Sequence, residues 1–428
     1  MSNQPTNHAE AVNEASAAYR LQVGNGALIK PGYKMTEVGV IPEDWKVSTV
    51  GDEFEVKLGK MLDAERNTGV PKPYLGNRAI QWDRIDISEL PIVPMSRADI
   101  EKYRLYKGDL LVCEGGEVGR AAIWEAPISE CYYQKALHRL RPLNGFNSKV
   151  MVAYLRQWSD RGMLKNYVTQ TSIAHLPREK FMEIPMPVPP VAEQHAIAAA
   201  LSDVDALLDG LERLIAKKRD LKQAAMEQLL TGQTRLPGYS GEWEVTRLGE
   251  ICEIEMGRTP PRLNASMWGN GYPWLSIADL KDKVVSNSKE QITQLAAESM
   301  SIIPKGTLLM SFKLSIGRLC FAGCDLFTNE AICSFNKLQA NADFLYYVLG
   351  RTDFSLYGKQ AVKGYTLNKE SLKLVELALP NEEEQTAIAT ILSDMDAELA
   401  VLEARRDKTR ALKQGMMQEL LTGRTRLL

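Results

Sequence analysis

No stretch of this 428-residue chain approaches the roughly 18 uninterrupted apolar residues of a membrane-spanning helix. The opening residues, MSNQPTNHAEAVNEASAAYR, lack the apolar segment of a secretory signal, so a cytoplasmic location is the expectation. Excess positive charge is also missing: 52 Lys and Arg against 54 Asp and Glu give a formal charge of −2. A chain that gripped nucleic acid unaided would carry a basic excess to neutralise phosphates. Any DNA attraction must therefore come largely from a partner.

Cysteine is sparse, six residues in all, and only Cys320 and Cys324 lie close together. Without a second pair or a nearby histidine they do not complete a tetrahedral metal site, and buried reduced thiols are the reading. The four histidines, His8, His138, His175 and His195, have no counterparts in the other half of the chain. Absent too are G-x-x-x-x-G-K-[ST], H-E-x-x-H and G-x-S-x-G, and the Asn-Pro-Pro-aromatic stretch that amino-methyltransferases place around a flipped base. Gly115-Gly116-Glu117-Val118-Gly119 is glycine-rich, but Phe312 to Gly317 keeps only the last glycine, as a turn between strands would. The chain reads as a binder that positions things, and no catalytic group or cofactor of its own is expected.

What the chain has is repetition. Glu193 to Leu236 and Glu384 to Leu427 align without a gap at an offset of 191, with 26 of 44 positions identical. In the first copy Ile197, Leu201, Val204, Leu208, Leu211 and Ile215 step by four and three, a heptad seam. Ile388, Leu392, Met395, Leu399 and Leu402 repeat it until Arg406, and Leu221, Ala225, Leu229 with Leu412, Met416, Leu420 resume it. Each segment predicts a helix of about 38 residues, close to 57 Å, ended by Gly232 or Gly423 in the position after the cap. The two helices are expected to form an antiparallel coiled coil, the alternative being a helix lying on its own globular domain. Ser202-Asp203-x-Asp205 and Ser393-Asp394-x-Asp396 place carboxylates two residues apart, on different sides of a helix, which suits a solvated face or partner contact better than a metal.

The globular segments are repeated as well. Trp45 to Asp52 matches Trp243 to Glu250, and Lys107-Gly108-Asp109-Leu110-Leu111 with Val118-Gly119-Arg120 matches Lys305-Gly306-Thr307-Leu308-Leu309 with Ile316-Gly317-Arg318, at an offset of 198. Between these anchors Ala64–Leu75 and Pro261–Pro273 diverge. Short turn-punctuated apolar runs predict strands around Trp45, Asp109, Ala121 and Ala136, helical spacing runs from Val150 to Leu164, and the proline-rich Ile184 to Pro190 reads as an extended connector. The expected organisation is an arm or short helix over 1–30, a module over 31–190, a helix over 191–236, a second module over 237–380 and a second helix over 381–428. The fold class is α+β, two globular α/β domains joined by the helices. Pro-Gly-Tyr follows the first helix at Pro237 and precedes the first module at Pro31, so the repeat is circular, which predicts that the end of the second helix adjoins the start of the first module.

Two modules, each opening W-x-V-x-x-[LV]-G-[DE] and followed by an E-Q-x-A-I-A helix ending L-L-T-G-x-T-R-L, resemble the specificity subunit of Type I restriction-modification systems. The resemblance implies two target recognition domains, each reading half of a split double-stranded DNA site. It also implies a subunit with no catalysis of its own, docked to two methyltransferase subunits that bring S-adenosylmethionine and joined by restriction/translocase subunits. Base-reading side chains should be polar, basic or aromatic and lie on the divergent loops. In the first module these are Lys60, Arg66, Lys72, Asn77, Arg78, Gln81, Trp82, Arg84, Gln134, Lys135, Thr171, Ser172 and His175. In the second they are Arg258, Thr259, Arg262, Asn264, Lys281, Lys313, Asn329, Glu330, Lys363, Tyr365 and Thr366. Arg120 and Arg318, at equivalent framework positions, suit phosphate contacts. Rival readings are a scaffold displaying two modules for proteins or glycans, and a self-contained DNA-modifying enzyme.

Overall fold

The computed structural model describes residues 29–63, 67–170, 174–313, 315–361 and 364–427. The expectation for residues 1–30 falls, except for Ile29 and Lys30, outside them. The chain divides into two compact units, residues 1–210 with 406–428, and residues 211–405. Each combines a module with the first part of the helix that follows it and the last part of the other long helix.

In the first unit a four-stranded antiparallel sheet is built from β1 (Phe54–Leu58), β2 (Leu110–Cys113), β3 (Ala121–Ile123) and β4 (Leu137–Pro142), in the order β3-β2-β4-β1. Leu110 and Val112 of β2 face one hydrophobic core and Leu111 and Cys113 another, the two-residue alternation of a strand buried on both faces. The first core is closed by α1 (Ser148–Asp160), whose apolar side includes Val150, Met151, Tyr154, Leu155 and Trp158. The strand Val70–Leu75 lies between Ile92–Met95 and Tyr132–Tyr133 in a second sheet. Pro185–Val188, expected as a connector, is instead a strand antiparallel to Lys46–Thr49. Its extended proline backbone fits a two-stranded ribbon that has a free edge.

Helix α2 (Val191–Leu229) follows. Glu193 and Gln194 sit in its first turn, and both are almost fully buried. Gln194 accepts from the Asn147 N–H at 2.8 Å and donates to the Pro189 carbonyl at 2.9 Å, tying the helix start to α1. Glu193 accepts from the Trp45 indole at 2.8 Å and from Arg426 at 2.7 Å, while Arg426 also grips Asp44. The Tyr33 hydroxyl donates to the Gly423 carbonyl at 2.7 Å. The end of the second long helix thus meets the start of the first module, as the circular repeat requires.

The second unit repeats the plan. β5 (Glu253–Met256), β6 (Leu308–Ser311), β7 (Leu319–Ala322) and β8 (Ile332–Asn336) pair in the order β5-β8-β6-β7, and Val284–Val285 extends the sheet beyond β7 in parallel. Helix α3 (Ala342–Arg351) occupies the place of α1. Helix α4 (Glu382–Leu420) begins with Gln385 accepting from Asn341 N–H at 2.9 Å and donating to Pro380 at 2.8 Å, and buried Glu384 receives Arg235. The E-Q pair is therefore a docking device used twice.

The seam residues Ile197, Leu201, Leu211, Ile215, Ile388 and Leu392 are buried, and Val204, Leu208, Met395, Leu399 and Leu402 are half-buried. They do not face only another helix, as a free-standing coiled coil would. In the first unit Ile197 and Leu201 share a core with Val150 and Tyr154 as well as with Met417 and Leu420. In the second, Ile388 and Leu392 meet Phe344 as well as Leu229. The helix thus both lies on its own module and meets the other helix. Of the residues expected to resume the stripe, Leu229 and Leu420 are buried and Ala225 and Met416 half-buried, whereas Leu221 and Leu412 are 46% and 58% exposed. The next residues, Lys222 and Lys413, turn inward instead, Lys222 onto Asp396 and Lys413 onto Asp205 at 2.6 Å. These aspartates end the two Ser-Asp-x-Asp motifs. Gly232 and Gly423 have φ of 69° and 67°, the left-handed conformation expected after a helix cap. Among the described residues no helix is long and apolar enough to cross a membrane.

Candidate nucleic-acid interface

Sheet register determines which loops share an edge. In the first unit Leu137 pairs with Cys113, His138 with Leu58, and Ala121 with Val112. The ends of β1 and β2 and the starts of β3 and β4 therefore lie side by side. The parallel pairing of Leu75 with Tyr133 brings in the loop after Leu75, and a bridge from Gly115 to His175 adds the hairpin Thr169–Gln170/Ala174–His175. Divergent segments distant in sequence thus converge on one edge. Close backbone passage makes this possible: a Cβ at Gly59 would stand 2.3 Å from the Gln134 carbonyl oxygen.

Asn77, Arg78, Gln81, Trp82, Gln134, Lys135 and His175 lie on these converging loops. Arg78, Arg84, Lys135 and His175 are exposed. The Trp82 indole donates to Glu117 at 2.8 Å and lies under Arg156 at 5.3 Å. Asn77 donates to the Gly115 carbonyl at 3.0 Å, and its Oδ1 is buried without a partner among the described residues. Lys60 is different: it is 9% exposed and bound at 2.9 Å to Asp99, which caps the helix Arg97–Tyr103. Lys72 lies further back along its strand, paired with Glu130 at 2.7 Å. Arg66, Thr171 and Ser172 lie outside the described residues.

The second unit gathers the same loops. Met256 pairs with Cys333, Ser311 with Ile332, and Leu275 runs parallel to Thr328. Arg258, Lys281 and Arg318 are exposed. Thr259 donates to Glu330, whose carboxyl is held below its ordinary range by that hydroxyl. Arg262 forms a two-pronged pair with Glu290 at 2.5 and 3.1 Å and stacks over Trp268 at 4.0 Å and Trp274 at 4.8 Å. Asn264 caps a short 3₁₀ turn, and Asn329 accepts from the Ala331 N–H at 3.0 Å. Lys313 is half-buried, 5.5 Å from the Phe312 ring centroid. Lys363, and the side chains of Tyr365 and Thr366, lie outside the described residues.

Arg120 and Arg318 share a further structural task. Arg120 donates to the Asn77 carbonyl at 2.9 Å and to Glu117 at 2.9 Å, and Arg318 donates to the Ile277 carbonyl at 3.5 Å. Each ties the turn between two strands to a 3₁₀ turn, Asn77–Ala79 in the first unit and Ile277–Asp279 in the second. One residue at the first edge escapes the sequence reading. Glu114 follows β2 and is half-buried, and burial pushes its carboxyl above the ordinary range while His175 and Lys135 pull it back.

A family model described as the Type I restriction modification DNA specificity domain matches residues 42–219 and again 240–409. The chain belongs to that family. The putative Type I restriction enzyme MjaX specificity subunit of Methanocaldococcus jannaschii is 25% identical over 417 residues, covering 92% of this chain and 97% of that one. Among solved structures, the Type I restriction-modification S subunit from M. genitalium has 16% identity and a TM-score of 0.56, covering 88% of this chain and 96% of that chain. A chain described in work on assembly of a Type I R-M system has 18% identity and a TM-score of 0.59, covering 90% and 99%. The two matched segments coincide with the two modules and the greater part of each long helix, so the specificity family accounts for both copies.

Proposed function

We propose that this specificity subunit reads a bipartite double-stranded DNA site, one half with each module. The observation that carries this reading is the repetition of one framework whose converging loops include the divergent segments: two equivalent edges with different side chains suit two different half-sites. The exposed Arg78, Arg84, Lys135, Arg258, Lys281 and Arg318 supply the donors that phosphates and guanine edges take. The paired residues Lys60, Lys72 and Arg262 shape the loops. The subunit has no catalytic role. Two methyltransferase subunits, bringing S-adenosylmethionine and much of the positive surface that a chain of net charge −2 lacks, dock on the helices and nearby framework, and restriction subunits join them.

The long helices act as the coiled-coil spacer. Each has 39 residues, about 58 Å at 1.5 Å per residue, against the roughly 34 to 36 Å that separates successive major-groove half-sites on one face of DNA. Antiparallel pairing is supported inside each unit by Lys413 with Asp205 and by Lys218 with Glu398 at 2.7 Å. The test is co-expression with the cognate methyltransferase and long-read mapping of methylated positions. One split motif with a fixed gap is expected; methylation without a split motif, or none, rejects the reading.

A further inference from the structure

The two frameworks can be superposed hydrogen bond by hydrogen bond around the turn that follows β2 and β6. Cys113 N–H donates to the Arg120 carbonyl at 2.8 Å, and Ser311 N–H to the Arg318 carbonyl at 2.9 Å. Gly119 N–H donates to the Cys113 carbonyl at 3.0 Å, and Gly317 N–H to the Ser311 carbonyl at 2.9 Å. The next residue donates to the strand opposite, Glu114 to Ala136 and Phe312 to Ala331, both at 3.0 Å. Glu114 and Phe312 therefore hold the same place. The second unit fills it with a ring that is 0% exposed, and the first fills it with a carboxylate.

That carboxylate is fixed in position and left available. Its backbone is held on both sides, because Leu176 N–H donates to the Glu114 carbonyl at 2.8 Å. Its side chain accepts no hydrogen bond among the described residues. The titratable groups around it are His175 on the adjoining hairpin, Lys135 before β4 and Glu179 on the helix Arg178–Met182. The carboxylate is half-buried and its oxygens are not among the buried polar atoms, so they remain open to water and can exchange it for a donor on a ligand. At an edge whose other exposed groups are mostly donors, it selects for a base that offers a hydrogen. In the major groove only the amino groups of cytosine and adenine do so, and a carboxylate suits cytosine N4.

We propose that Glu114 is a specificity-determining residue of the first module, accepting a hydrogen bond from the N4 amino group of a cytosine in its half-site. The assignment rests on the reading of the chain as a DNA specificity subunit. Phe312, which can accept nothing, leaves the second module without this preference at the equivalent place. Thymine offers O4 where cytosine offers N4–H, so a carboxylate there would face another acceptor and reject it.

The experiment is long-read methylation mapping in cells expressing the cognate methyltransferase with wild-type chain, E114Q or E114A. The first module's half-site is the one retained when 237–380 is replaced by another module. Wild type is expected to require cytosine at one position of that half-site. E114Q keeps the volume and gains an N–H₂ donor, so that position should now accept thymine, with the cytosine-to-thymine preference falling about tenfold or more. E114A should relax the position without favouring thymine. An unchanged motif in both variants, or a change confined to the other half-site, overturns the proposal while leaving the bipartite reading intact. Absence of any split motif with wild type overturns the bipartite reading instead. If E114Q proves inactive, E114A and E114D carry the same comparison, and a wild-type motif in both also overturns it.

Discussion

His138 shows how a single buried side chain sets a pH response. Its ring packs on Phe181 with centroids 5.2 Å apart, and Nε2 lies 2.9 Å from the Leu176 carbonyl. A carbonyl only accepts, so Nε2 carries a proton; burial pushes the pKa down to about 4, so near pH 7 the ring is neutral with Nδ1 bare. In the unfolded chain histidine titrates near about 6.5. Between these values the unfolded chain binds a proton that the folded one refuses, so stability rises with pH across that window and is level above it. The span corresponds to on the order of 3 kcal/mol. The thermal midpoint should therefore fall as pH drops from about 7 to about 5, and H138Q, which keeps a donor for Leu176, should flatten that slope. An unflattened slope would place the response elsewhere. At this scale the sequence discloses which loops differ and conceals which charges are already paired. Lys60 and Lys72 read as free cations, yet Asp99 and Glu130 neutralise them from 39 and 58 residues away. Arg262 is met by Glu290 from a separation of 28. Glu114 was hidden because a lone acid between variable loops has no local pattern; only the framework offset of 198, which aligns it with Phe312, marks it.

Among the elements, the helices were the most legible, since duplication, heptad spacing and the terminal glycines all come from local periodicity. Their failure point is equally physical. A straight α-helix drifts against a strict 3.5-residue repeat over many turns, and at one point in each helix the inward position is one residue on, Lys222 in place of Leu221 and Lys413 in place of Leu412, although Leu229 and Leu420 further along are buried. The pairs with Asp396 and Asp205 make the inward lysines tolerable. Leu412→Gln should therefore change stability by no more than about 0.5 kcal/mol, as for other surface substitutions. Met417→Ala, which empties a position only 6% exposed, should cost about 2 kcal/mol or more. Equal shifts in the thermal midpoint for the two variants would contradict this placement. The strands were legible as short runs between turns, but Pro185–Val188 was not, because a proline-rich run looks the same whether it connects two domains or lines the edge of a ribbon.

For the whole molecule, the two-fold repetition and its circular continuity could be read directly, because both are statements about sequence identity. The division into units could not, since it depends on Arg426 reaching Glu193 and Asp44, more than 200 residues away. Exchange of residues 237–380 for a foreign module should alter one half of the methylated motif and leave the other half and the gap unchanged. Insertion of one helical turn in both long helices should do the reverse, and an insertion that altered the bases read would refute the spacer role. The composition of the units also bears on the order of synthesis. The second unit is continuous, residues 211–405, whereas the first needs residues 406–428 to complete its core. The upstream module therefore waits, on the order of tens of seconds at ordinary elongation rates, for a helix end made about two hundred residues later. During translation it is the downstream unit that can close first, leaving the apolar surface that Met417, Leu420 and Leu421 cover in the finished first unit open until they are made.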